Sequence, residues 1–207
     1  LTQLAPVGHI RFAVNMANAS IVRENTPGEY MGPAAELAVR LSTLLGLEVR
    51  IIPFASGGAI LAQEDAWDLA VLAIDSSRTQ IRYVHEIMRV SATFAGRVQA
   101  MSCSDVDKAG IRIATARGAA YETHLTGTLK HADIIPFDTP AAARDAMLNS
   151  NCDFVAGIRS TLESSLADHI GIHLLEDDFL TISQALAIRA EHEDAAMFLE
   201  NLLAASK

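Results

Sequence analysis

Arg78 is the residue with the clearest chemistry to offer. It follows Trp67-Asp68-Leu69-Ala70-Val71-Leu72-Ala73-Ile74-Asp75-Ser76-Ser77. Leu69 to Ile74 reads as a buried strand. Asp75 reads as the N-cap of a helix, its short carboxylate accepting a first-turn backbone N–H. A guanidinium in that first turn would sit at the positive end of the helix dipole. Such an arginine is either solvated or held there to meet an anion. Asn15 and Asn18 form a second candidate pair. Asparagines at a strand's end build turns, or aim amides into a cleft at the carboxyl edge of a parallel sheet.

Other groupings offer less. His124 and His131 lie seven apart on one expected helix and read as a solvated face. His169 and His173 are four apart, but Gly171 lies between them and a strand follows, which does not suit helical metal ligation. Glu176-Asp177-Asp178 reads as a solvated loop, with a divalent-cation site as the alternative. Cys103 and Cys152 are too few and too far apart for zinc and read as two free thiols, with a single disulfide as the alternative. Dinucleotide and phosphate-loop glycine motifs, a nucleophile elbow and His-Glu-x-x-His are all missing. Neither a cofactor nor a metal is expected, and the enzyme readings weaken.

The elements that must position these residues follow from pattern. The 207 residues suffice for one large domain or two lobes of about 100 residues. Half of them are hydrophobic and only 5% aromatic, so the core must be aliphatic and stacking sites scarce. A net charge of −9 argues against nucleic acid or an anionic membrane as partner. No apolar run approaches the ~18 residues that span a bilayer. The opening Leu1-Thr2-Gln3-Leu4 is not a signal peptide, and a first residue other than Met fits a mature exported chain or an excised piece.

Along the chain, strands are expected at 9–14, 47–53 and 67–74, with a loop over 23–33. A helix over 34–45 is stopped by Gly46, and a short one ends near Glu64. A second series follows: strands near 111–115, 134–137 and 153–156, and helices over 118–129, 140–148, 159–167 and 191–205. Two extended segments, 90–101 and 180–188, join the halves. The expected architecture is two βαβ lobes, 1–95 plus 184–207 and 96–183, connected twice, which suits a hinge with a cleft between them.

Several stretches carry a resemblance. They are Gly32-Pro33-Ala34-Ala35-Glu36-Leu37-Ala38, Trp67-Asp68-Leu69 with Ser76-Ser77-Arg78, and Gly110-Ile111-Arg112-Ile113-Ala114 with Gly118-Ala119-Ala120-Tyr121. Asp153-Phe154-Val155-Ala156-Gly157 and Gln184-Ala185-Leu186-Ala187-Ile188 complete the set. In order and spacing, from about Gly8 to the end, the chain resembles the family 3 extracellular solute-binding proteins, partners of polar amino-acid ABC importers. The resemblance implies a type II periplasmic-binding-protein-like α/β fold. It also implies a monomeric, non-enzymatic protein of the periplasm or cell exterior, handing a small ligand to an ABC permease.

In that family the arginine matching Arg78 grips the ligand carboxylate, a geometry that suits a guanidinium. The departures are Ala73 for a Ser or Thr, Ala119 for a hydroxyl that helps hold the carboxylate, and Ile158 for the acid that pairs an α-ammonium. Asn15 replaces a frequent first-strand acid, and Asn18 stands near a stacking aromatic's place. The ligand implied is an anionic or polar metabolite rather than a standard α-amino acid. Ser56 joins the asparagines on the first lobe; Ala120 and Tyr121 face them from the second. Arg159 is either a second ligand cation or a solvated helix-start residue. The family commonly continues past Ser206-Lys207 through a further helix. The alternatives are a cyclohexadienyl-dehydratase-like enzyme, with Glu122 and Glu163 as its only carboxylates near the second-lobe site, and the ligand-sensing domain of a membrane receptor.

Overall fold

A computed structural model describes residues 3–97 and 102–206. The chain divides into two compact units, 1–88 with 183–207, and 89–182. Residues 98–101 of the extended segment expected at 90–101 lie outside the described residues.

Unit 1 begins with β1 (Ile10–Asn15) and a hairpin, β2 (Arg23–Thr26) and β3 (Glu29–Met31). The hairpin replaces the expected loop. Its strands are almost wholly exposed, so no apolar alternation announces them. Helix α1 (Pro33–Leu45) buries Ala34, Leu37, Ala38 and Leu41, and stops at Gly46 in the left-handed conformation (φ 65°). Gly32, which opens it, has φ 105°, and a Cβ there would stand 2.8 Å from the Ile21 carbonyl oxygen. β4 (Val49–Phe54), α2 (Gly57–Leu61), a 3-10 turn (Glu64–Ala66) and β5 (Leu69–Ala73) follow. β1 lies between β4 and β5, parallel to both. One face of this sheet packs Phe12, Val14, Leu69 and Val71 against α1 and the last helix. The other buries Trp67 with Phe54, Ile60 and Leu72, its indole N–H donating to the Ile60 carbonyl at 2.9 Å.

β6 (Ile81–Gly96) runs from unit 1 into unit 2. Its start is earlier than expected because Arg82, Tyr83, His85 and Glu86 mask the strand pattern. Unit 2 contains β7 (Arg112–Ala116), α3 (Ala120–Thr128), β8 (Asp133–Phe137), α4 (Pro140–Leu148), β9 (Phe154–Ile158), α5 (Arg159–Leu166) and the short β10 (His173–Leu174). β7 lies parallel to β8 and β9, and β6 is antiparallel to β9. β11 (Leu180–Arg189) returns to unit 1, pairs antiparallel with β5, and leads into α6 (Glu193–Ala205).

The two units share a device. Arg11, near the start of β1, donates from its backbone N–H and Nε to Asp68 Oδ2 and from Nη2 to Asp68 Oδ1. Arg112, opening β7, makes the same three bonds to Asp153. Each pair fastens the first parallel strand of its unit to the entry of the last, and each arginine follows an Ile, as Ile10-Arg11 and Ile111-Arg112.

Candidate functional site

In unit 1 the chain leaves β5 at Ala73, and Ile74 N–H donates to the Ser183 carbonyl at 2.8 Å. The expected helix does not follow. Asp75 Oδ1 accepts from Ser77 N–H at 2.9 Å and Ser77 Oγ–H at 2.6 Å, and Arg78 N–H donates to the Asp75 carbonyl at 3.2 Å. This is a tight turn, and Ile81 then starts β6. An aspartate serves an Asx turn and a helix N-cap with the same acceptor, so local sequence does not separate the two.

The turn buries the Arg78 side chain to 8% exposure. Its Nη1 donates to the Ala73 carbonyl at 3.1 Å, and its Nε lies 3.4 Å from Asp75 Oδ2. Tyr83 adjoins the same turn: Asp75 N–H donates to its oxygen at 3.2 Å. Burial pushes the Tyr83 phenol up, and the Arg78 charge opposes that shift. A guanidinium this buried needs such acceptors, because leaving it unpaired would cost several kcal/mol.

The other unit 1 candidates are tied into local structure. Asn15 ends β1, and its Oδ1 accepts from Ala17 N–H at 3.0 Å. Asn18 is buried, with Oδ1 accepting from Ser20 N–H at 3.3 Å. Ser56 caps α2 through Ala59 N–H at 3.1 Å. Ala73 lies directly opposite Gln184 on β11. Gln184 is 5% exposed, a buried polar residue beside the position that lacks a hydroxyl. Its apolar neighbours Ala185, Leu186, Ala187 and Ile188 make it read as plain strand, and only its pairing to Ala73 draws attention to it.

In unit 2, Ala119 occupies the N-cap position of α3 without a side-chain cap, and Ala120 is the first helical residue. Glu122 Oε2 instead accepts from Gly118 N–H at 3.1 Å, so this helix start already holds the protein's own carboxylate. Tyr121 is buried, and desolvation pushes its phenol far up. Ile158 closes β9 and half-buries an apolar side chain before α5.

Arg159 opens α5 and is tied to the loop that follows the helix. Its Nε donates to Asp178 Oδ1 at 2.7 Å, and its Nη2 reaches the carbonyls of Leu175, Glu176 and Asp177 at 3.0, 3.2 and 2.8 Å. The acidic run is built in likewise: the Asp177 carboxylate accepts from Cys103 N–H at 2.9 and 3.0 Å. Among the described residues no group of three or more His, Cys, Asp or Glu could hold a metal ion. Cys103 and Cys152 are free and buried, and burial pushes the Cys103 thiol up to about 12. His124 stacks on Phe179, with centroids 6.1 Å apart. His131 lies beyond the end of α3, so the two do not share a helix.

No protein-family model matches this sequence, and no curated protein is similar to it in sequence. Solved structures are similar in fold. An arginine-bound variant of ArgBP from T. maritima superposes with a TM-score of 0.81 at 15% identity, over 99% of this chain and 99% of that one. An ancestral amino-acid-binding protein, described as a precursor of cyclohexadienyl dehydratase, gives 0.74 at 19% identity over 97% and 90%. The periplasmic domain of BvgS from B. pertussis gives 0.79 at 19% identity, over 99% of this chain but 41% of that one. The fold is thus the mixed α/β, two-lobed periplasmic-binding-protein-like fold.

Proposed function

We propose that the chain is an extracytoplasmic solute-binding protein that captures a small carboxylate-bearing or polar metabolite for uptake by an ABC permease. The observation that carries this reading is Arg78, a buried guanidinium at the carboxyl end of β5, in a fold whose solved neighbours include an arginine-bound ABC-type binding protein. Arg78 is the carboxylate anchor, with Asn15, Asn18 and Ser56 as neighbouring polar groups of unit 1. Ala119, Ala120 and Ile158, the candidates of unit 2, are apolar positions that bring no charge. Arg159 serves the 175–178 loop instead of a ligand. No helix among the described residues is long and apolar enough to cross a membrane.

A thermal-shift screen of carboxylates and amino acids tests the reading, run on the natural chain and on Arg78→Ala. A ligand raises the melting temperature of the first and loses that effect on the second. Equal stabilisation of both removes Arg78 as the anchor.

Two neighbours favour second readings. The dehydratase precursor keeps open an enzyme on the same fold. Such chemistry needs a positioned general acid, and Glu122 is already bonded to Gly118 while Glu163 is 57% exposed. Incubation with prephenate decides it: product absorbance establishes the enzyme, and none removes it. The BvgS periplasmic domain shows the same fold as part of a longer chain, which suits the ligand-sensing reading that the gene's flanking segments decide.

A further inference from the structure

Unit 1 carries a fixed negative charge beside its candidate anchor. Asp75 Oδ2 lies 3.4 Å from Arg78 Nε, with the two side chains 11% and 8% exposed. The aspartate is held independently of the arginine, because its other oxygen accepts both the N–H and the Oγ–H of Ser77. Its backbone N–H is anchored on Tyr83. The carboxylate therefore does not have to leave when a ligand arrives.

In surroundings that exclude water, a charge a few ångströms away acts through an effective dielectric well below that of water. A ligand carboxylate brought to Arg78 becomes the second anion on one cation, and carboxylates sharing a site repel. The repulsion is offset when the ligand itself carries a positive charge within reach of the same field.

We propose that Asp75 is a specificity-determining residue. Its resident charge sets Arg78 to accept carboxylates on ligands of zero or positive net charge and to disfavour net anions, dianions most of all. This rests on Arg78 as the anchor and narrows that reading: the anionic ligand that Arg78 alone suggests gives way to a charge-balanced one.

Titration calorimetry with matched probes tests this at fixed pH and salt. The pairs are L-alanine with propionate, L-leucine with 4-methylpentanoate, L-glutamine with glutaramate, L-glutamate with glutarate, and L-arginine with 5-guanidinopentanoate. The natural chain prefers the amino member of the pair it binds by about tenfold or more. Asp75→Asn reduces that preference to about threefold or less. Asp75→Ser, whose hydroxyl also accepts within a turn, is the second neutral variant and behaves alike. An unchanged preference in a folded neutral variant, with binding still dependent on Arg78, overturns the role of Asp75 and leaves the anchor standing. Binding of no probe to the natural chain overturns both.

Discussion

Arg78 and Arg159 each follow the last parallel strand of their unit, yet they do different work. Arg78 is pinned by partners that include the Ala73 carbonyl and the Asp75 carboxylate, within a five-residue reach in a buried turn. Arg159 spans 16 to 19 residues of sequence to gather three carbonyls and the Asp178 carboxylate into one loop. The difference teaches that arginines at equivalent places can tie quite different parts of the chain, Arg78 its own turn and Arg159 a distant loop. The Asp clamps repeat the lesson in a milder form. The Asp68 side chain is 1% exposed in unit 1 and the Asp153 side chain 24% exposed in unit 2, although their bonds match one for one.

The largest expected effect comes from breaking the anchor side. Arg78→Ala removes the counter-charge of the buried Asp75 carboxylate and costs about 3–5 kcal/mol of stability. Adding Asp75→Asn to it recovers part of that loss, read by urea denaturation. A double variant no more stable than the single one would mean that the pair is not coupled.

Next is Asp68→Asn, which weakens charge-assisted bonds to Arg11 in a buried place and costs about 2–3 kcal/mol. Arg159→Ala removes the brace of the 175–178 loop and costs about 1–3 kcal/mol. It leaves the ligand affinity of the folded protein within about twofold, because its guanidinium serves the loop. A selective loss of affinity would restore Arg159 as a ligand residue.

The smallest effect sharpens the comparison of clamps. Hydrogen bonding to Arg112 holds the Asp153 carboxyl below its ordinary range. A lowered folded value contributes stability above the unfolded pKa, about 3.9, and loses it as pH falls through the folded one. Since the pair is half in solvent, Asp153→Asn costs about 0.5 kcal/mol at neutral pH, and that cost vanishes in acid. Melting temperatures from pH 7 down to 3 check it, and a cost that grows in acid would reverse the sign.

The fold was readable wherever period and punctuation agreed. Leu37, Ala38 and Leu41 with Gly46 announce α1, and the short aliphatic runs announce β5, β7 and β9. The 23–31 hairpin was not, because its strands bury almost nothing. The site was readable in part. Arg78 stands out by type and place, but Asp75 satisfies two local geometries equally well, and only the turn shows it beside the guanidinium. Tyr121 reads as a site candidate at a helix start, and only the packing shows that its ring is buried. The setting of Arg159 was not readable for a different reason: its hydrogen-bond partners lie 16 to 19 residues along the chain, where no local rule reaches.

The most direct test is a calorimetric titration of the ligand found by the thermal-shift screen, against the natural chain, Arg78→Ala and Arg159→Ala. The account predicts binding to the natural chain and to Arg159→Ala with similar affinity, and at least a hundredfold loss, the ~3 kcal/mol of a buried charge-assisted pair, in Arg78→Ala. Undiminished binding to folded Arg78→Ala would contradict it.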